Sequence, residues 1–326
     1  MGAEFPARDA LFRPSGRAGL PSPASARSRY DSETMSVVAA PPAERLRFKL
    51  GPATLALDVA DGTALEVLER VYAPMRCADL RPHQHSASIQ TLSDGRLHAR
   101  FARRPVVIPP RTASERLMYS TTREIFARFA ASVPQTLALY GAMIAVRNSS
   151  MLLLGPAMIG KSVLALHLAH QGATFLGDET AMLSLRGPEA YAMPRRPALR
   201  ESAVAHLPDR MRDSVATAPH SFEGDFGRFW YALDERDLAG IAPSDRAFPL
   251  EYVCILRNRA QEPAIRRLDT AAAVPHIAQR AYARPSELHQ LSALHKTLRK
   301  VRCLEITLGT PEETASAILR EVGACG

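Results

Sequence analysis

Residues 155–162 read Gly-Pro-Ala-Met-Ile-Gly-Lys-Ser, a complete G-x-x-x-x-G-K-[ST] phosphate loop. The apolar run Ser150–Leu154 precedes it as a strand, and Val163 to Gln171 follows with helical apolar spacing until Gly172 stops it. Strand, glycine-rich turn and helix are the context in which this pattern cradles phosphate. Gly155 and Gly160 let the main chain turn tightly, so that the loop from Pro156 presents the N–H groups of Ala157, Met158, Ile159 and on to Val163 to phosphate oxygens at the positive end of the new helix. Lys161 then neutralises the β- and γ-phosphates and the Ser162 hydroxyl sits on magnesium. Met158 is the discordant residue, because its side chain must project away from the nucleotide.

Upstream, Tyr140 to Val146 reads as a buried strand joined to the loop strand by the polar turn Arg147–Ser149. Two adjacent strands linked by a short turn differ from the usual arrangement, in which a helix separates parallel neighbours. A helix is expected from about Ser114 to Phe129, with Met118, Thr122, Ile125, Phe126 and Phe129 on one face. Before it, Arg45–Leu50 and Ala53–Val59 read as a hairpin, Thr63 and Glu66 as a capping box, and 86–91, 96–101 and 106–108 as strands, together a small α+β lobe over 45–112. Residues 1–44 are rich in Pro, Ala, Ser, Gly and Arg without periodicity and read as a disordered leader. Translation from Met1 or from Met35 is left open.

Downstream, Ala173–Leu176 is a strand ending in Gly177-Asp178-Glu179, followed by extended segments at 180–185 and 189–193. Residues 200–245, with the single Trp at 230, read as a polar, irregular, mobile segment. Strands are expected at 252–256 and 301–308, and a last helix capped by Thr310, with Pro311 at its first position and Glu313 two residues on.

The chain has 326 residues, 46% of them hydrophobic, and a formal charge of 41 − 33 = +8. Much of the surplus falls late, at Arg257, Arg259, Arg266, Arg267, Arg280, Arg284, Lys296, Arg299, Lys300 and Arg302. Its dispersal without interleaved aromatics argues for a solvated face and a phosphate-bearing ligand over nucleic acid. No run approaches the roughly 18 apolar residues of a membrane span and no signal core precedes the body, so the expected location is the cytoplasm, with no membrane partner. Cys77, Cys254, Cys303 and Cys325 lack zinc spacing and read as free thiols.

Asp178 and Glu179, at a strand end beside the loop, suit a division of labour in which one carboxylate holds magnesium and the other accepts a hydroxyl proton. With the loop, the strand pair from Tyr140, this acid pair 16 and 17 residues past Ser162, and Pro194-Arg195-Arg196-Pro197-Ala198-Leu199-Arg200, the chain resembles the HPr serine kinase/phosphorylase catalytic domain and its HPr kinase-like relatives. The resemblance covers most of 45–323, densely between 140 and 200. It implies a mixed-sheet α/β phosphate-loop kinase fold like that of phosphoenolpyruvate carboxykinase, with the catalytic domain over 113–326. ATP and magnesium are then the cofactors, and the acceptor is a hydroxyl on a protein, peptide or small molecule. Lys161 and Asp178 take the catalytic roles, Asp178 as general base; Ser162 and Glu179 serve the metal, and Arg196 and Arg200 contact phosphate or the acceptor.

The chain departs from the family where Tyr140 replaces a histidine, Met158 a glycine and Glu179 an aspartate, and no match to the HPr-engaging glycine signature is present. A phenol with a pKa near 10 does not replace imidazole in proton handling. A catalytically weak ATP-binding module serving as regulator or scaffold is the alternative, and the acceptor and a homo-oligomeric assembly stay open.

Overall fold

Apolar residues alternate along Leu46–Leu50 and Ala53–Val59, and the two segments pair antiparallel as β1 (Glu44–Leu50) and β2 (Ala53–Val59), with Leu46 opposite Leu57 and Phe48 opposite Leu55. The computed structural model describes residues 43–78, 85–91, 97–102, 104–106, 115–217, 221–222, 229–231, 238, 240–282 and 288–323. The expected leader lies outside these residues except at 43 and 44, as do Cys325, Arg284 and the expected strand positions 107–108.

Helix α1 (Gly62–Tyr72) carries β2 over to β3 (His85–Thr91), which pairs with it in parallel. The cap of α1 is Asp61, whose carboxylate accepts the Ala64 N–H at 2.8 Å. Thr63 therefore lies inside the first turn, and the expected Thr63–Glu66 box is not the cap. β4 (Leu97–Phe101) and the short β5 (Arg104–Pro105) complete a five-stranded sheet in the order β1-β2-β3-β4-β5. α2 (Glu115–Ser132) buries all five residues of its expected face. Phe126 stacks on Tyr72 at 3.9 Å between ring centroids and meets Phe48 edge-on at 5.0 Å, which fixes α2 against α1 and β1.

The larger sheet begins with β6 (Thr136–Leu139), a strand too short to show a period in the sequence, then β7 (Ala142–Val146) and β8 (Ser149–Leu154). The expected strand from Tyr140 starts two residues later, after a bend at Tyr140–Gly141. After α3 (Lys161–His170) come β9 (Thr174–Gly177), β10 (Ala181–Ser184) and β11 (Glu189–Tyr191). The described part of 200–245 is more regular than expected. It holds β12 (Ala198–Arg200), α4 (Glu201–Val204), α5 (Asp209–Thr217), β13 (Ser221–Phe222) and β14 (Phe229–Tyr231), the three strands forming a small sheet in the order β12-β14-β13. β15 (Ala247–Arg259), β16 (Ala264–Leu268), α6 (Thr270–Ala278), α7 (Leu288–Leu298), β17 (Arg302–Leu308) and α8 (Pro311–Gly323) close the chain.

The resulting nine-stranded sheet is mixed, so the fold is mixed α/β. Its path runs β6-β10-β11-β15-β8-β7-β9, with β17 on β15 and β16 on β17. β8, β15 and β17 are mutually parallel, whereas β7 is antiparallel to both β8 and β9. Both faces are covered, which is why these strands read as continuous apolar runs. Leu153, Cys254 and Leu304 lie on the face packed by α3 and α8, and Leu152, Val253 and Cys303 on the face packed by α6 and α7. The expected capping box of α8 forms: Thr310 Oγ1 accepts the Glu313 N–H at 3.3 Å and the Glu313 carboxylate accepts the Thr310 N–H at 3.3 Å. Among the described residues no helix is long and apolar enough to cross a membrane.

Candidate functional site

Because β7 is antiparallel to both β8 and β9, those two strands point the same way, and β15 runs parallel to β8. Gly155 after β8, Asp178 after β9 and Arg259 at the end of β15 therefore all leave the same end of the sheet, the carboxyl end where open α/β sheets bind ligands. Gly155 to Gly160 form the connection from β8 to α3. Gly160 precedes α3 at φ 111°, and no side chain caps the helix. A side chain at Gly155 would press on the Leu256 carbonyl at 3.0 Å.

Lys161 is buried and turns back into the loop. Its Nζ donates to the carbonyls of Pro156 at 2.8 Å and Gly155 at 3.2 Å, and lies 4.5 Å from the centre of the Tyr140 ring. Met158 is 71% exposed and sits at φ 64°. The Arg200 guanidinium rests on its sulfur. Arg259, one of the late basic residues, donates from Nη2 to the Ile159 carbonyl at 3.2 Å. Arg196 is placed differently: its backbone N–H donates to Val71 in α1 at 2.8 Å, and its Nε is buried without a partner among the described residues.

Asp178 is 1% exposed, and neither of its carboxylate oxygens has a hydrogen-bond partner among the described residues. Burial raises its pKa and the neighbouring Glu179 charge adds to this; Arg195 opposes the rise, as do the nearby Ser162 hydroxyl and the Glu179 backbone N–H. Gly177 sets the approach. At φ 151°, it lies where an added Cβ would be 2.3 Å from the Met193 carbonyl oxygen, and that closeness brings the segment 193–197 against the acid pair.

The residue that organises the pair is Arg195, which the sequence places between the two prolines but to which the motif assigns no role. It is 1% exposed. Its Nη2 lies 2.7 Å from Glu179 Oε2, its Nε donates to the Asp178 carbonyl at 3.1 Å, and its Nη1 donates to the Tyr119 hydroxyl of α2 at 2.9 Å. Burial works against the guanidinium charge, but Glu179 and the tyrosines outweigh it and hold the Arg195 pKa well above its usual value. Glu179 sits at φ 62°, an unfavourable backbone for a side-chain-bearing residue. Arg195 holds it from one side, while the Tyr282 hydroxyl donates to its carbonyl at 2.8 Å. Tyr282 also meets the Thr180 hydroxyl at 3.1 Å, and burial raises its pKa.

The thiols stand apart from this site. In the parallel register, Val253 pairs with Cys303 and Cys254 with Leu304, which puts Cys254 and Cys303 on opposite faces of the sheet. Both are buried and free, and burial lifts their pKa values, that of Cys303 to about 11.

No protein-family model matches the chain, and no curated protein does. Among solved structures it is similar to the HPr(Ser) kinase/phosphatase from Coxiella burnetii, over 58% of this chain and 99% of that one, at 12% identity and a TM-score of 0.29.

Proposed function

We propose that the chain is an ATP- and magnesium-dependent phosphotransferase of the HPr kinase-like group, on a fold like that of phosphoenolpyruvate carboxykinase, delivering phosphate to a hydroxyl on a protein, a peptide or a small molecule. One observation carries this reading: a buried carboxylate without hydrogen-bond partners, Asp178, stands beside the Ser162 hydroxyl at the start of the helix that follows a complete phosphate loop. An orphaned buried carboxylate is costly unless a ligand or cation completes it. Ser162 fits magnesium, and so does Glu179 through Oε1, since Oε2 is engaged by Arg195. Magnesium, when bound, neutralises charge on the β- and γ-phosphates. Lys161 moves from the loop carbonyls to the phosphates, and the first-turn N–H groups of α3 hold the phosphate oxygens. Asp178, its pKa lifted by burial, accepts the proton of the acceptor hydroxyl.

The second reading, an ATP-binding module with weak turnover, is favoured by Lys161 resting on the Tyr140 ring, a phenol where the family pattern has imidazole. One experiment separates the two. Radiolabelled ATP with magnesium is offered to the full chain together with lysate, HPr and free serine in parallel. Labelled product from wild type supports the kinase, and binding without product supports the module. Lys161→Ala should raise the dissociation constant for ATP at least tenfold; an unchanged value removes the loop from nucleotide binding and sinks both readings.

A further inference from the structure

Alternation along β15 puts Val253 and Ile255 on the face covered by α6 and α7, and an unbroken strand would carry Arg259 there as well. The strand is broken. Leu256 pairs with Ile306 of β17, yet the next pairing joins Arg259 to Leu308, so three steps along β15 are set against two along β17. The extra residue is a bulge, a device that re-aims side chains beside functional sites and is rare between parallel strands. Leu308 lies on the face packed by α3 and α8, and Arg259, paired with it, turns to that face. Just past the bulge, the Ala260 N–H donates to the Leu308 carbonyl at 2.7 Å and fixes the main chain.

There the guanidinium meets the phosphate loop. Arg259 Nη2 donates to the Ile159 carbonyl at 3.2 Å, the one hydrogen-bond partner of this side chain among the described residues. Gly160 leaves room for it: a Cβ at that position would lie 3.0 Å from the same Nη2, on a backbone at φ 111°. The Ile159–Gly160 peptide is trans, so its N–H points opposite to its C=O. A donor that holds the Ile159 carbonyl therefore fixes the Gly160 N–H on the side of the loop away from Arg259. Lys161 is held differently, through the Pro156 and Gly155 carbonyls, contacts that it gives up when it moves to a phosphate. Arg259 is exposed, so the core does not account for its placement. The bulge and the bare Gly160 find a common use in this one contact.

We propose that Arg259 is a positioning residue for nucleotide binding, a role that rests on 155–162 being a nucleotide loop. It braces the loop from the β15 side, keeps the Gly160 N–H aimed at the phosphates and does not itself touch them. Lys161 is then the cation that moves, and Arg259 the one that stays.

Two measurements on the full chain test this. Hydrogen exchange of peptides spanning 156–162, followed without nucleotide, should be at least about threefold faster in Arg259→Ala and near wild type in Arg259→Lys, which keeps a donor at similar reach. Calorimetric titration should show the dissociation constants of ATP and ADP both raised about tenfold in Arg259→Ala and largely restored in Arg259→Lys. Thermal midpoints report that the variants are folded, and Arg259→Met, which keeps the stem, replaces the alanine variant where that one is not. Exchange and affinity unmoved by Arg259→Ala overturn the brace. So does a loss confined to ATP, which puts the guanidinium on the terminal phosphate instead. A wild type that binds neither nucleotide fells the loop reading and the brace with it, before any variant is compared. Binding without turnover fells only the kinase reading and leaves the brace to be decided by the variants.

Discussion

Arg195→Met tests whether the acid pair is held by one buried guanidinium. The substitution keeps much of the side-chain volume but removes the partner of Glu179, the donor to the Asp178 carbonyl and the donor to Tyr119. Removing one member of a buried ion pair costs about 3–5 kcal/mol, because the other charge is left desolvated. Glu179 is 18% exposed, so the lower part of that range, about 3–4 kcal/mol, applies. With a urea dependence of about 3 kcal/mol per M, the unfolding midpoint should fall by about 1 M.

In Arg195→Met/Glu179→Gln the Glu179 charge that the single variant leaves unpaired is gone, and the loss reduces mainly to two hydrogen bonds at about 1 kcal/mol each. The double variant should therefore be more stable than the single one by about 1–2 kcal/mol, a coupling that a double-mutant cycle measures directly. If Arg195→Met loses less than about 1 kcal/mol, or the double variant loses at least as much as the single one, the guanidinium is not what secures Glu179.

Asp178→Asn should leave the ATP dissociation constant within about threefold while lowering transfer by a factor of about 10² or more, measured with radiolabelled ATP; equal turnover would place the base elsewhere. His167 should make the fold acid-sensitive. Its Nε2 donates to the His206 carbonyl at 2.7 Å and burial lowers its pKa below the ordinary value near 6.5. Between pH 6.5 and that lowered pKa the unfolded chain binds a proton that the folded one does not, so stability falls as pH drops through this window. Thermal midpoints at pH 7.5 and 5.5 should differ less in His167→Gln than in wild type, and equal differences would exclude His167. Gly177→Ala should cost about 2 kcal/mol or more, seen as a lowered thermal midpoint, since the new methyl meets the Met193 carbonyl at 2.3 Å from a backbone at φ 151°.

How much was legible follows from what each signal depends on. The loop, its strand and its helix were readable because turn chemistry and periodicity are local: Gly160 does adopt the left-handed backbone that a bare glycine permits. The α2 face was readable for the same reason, as was the Thr310–Glu313 cap. The Asp61 cap is hidden in the sequence because a Thr-x-x-Glu pattern two residues later offers the same chemistry, and backbone dihedrals alone choose between them. β6 and the small β12-β14-β13 sheet are not legible because strands of two to four residues carry no period. The role of Arg195 is not legible in its motif, since only long-range packing tells which of two adjacent arginines turns inward: Arg195 is 1% exposed, while its neighbour hydrogen-bonds to α1 through its backbone.

That inward turn changes how the acid pair is supported. A strand end followed by two acids needs something to fix the carboxylates, and here the support comes from outside the strand-loop-helix unit. Tyr119 belongs to α2, whose Phe126 is clasped by Tyr72 and Phe48, and Tyr119 reaches the pair both through the Arg195 guanidinium and directly, its hydroxyl donating to Glu179 Oε2 at 3.5 Å. Because Tyr119 and Arg195 are both buried, water cannot substitute for either. A shift of α2 must then be felt at Glu179, the residue that already bears a left-handed backbone and has least freedom to relax. The packing of the first sheet and its helices therefore governs the geometry of the acid pair.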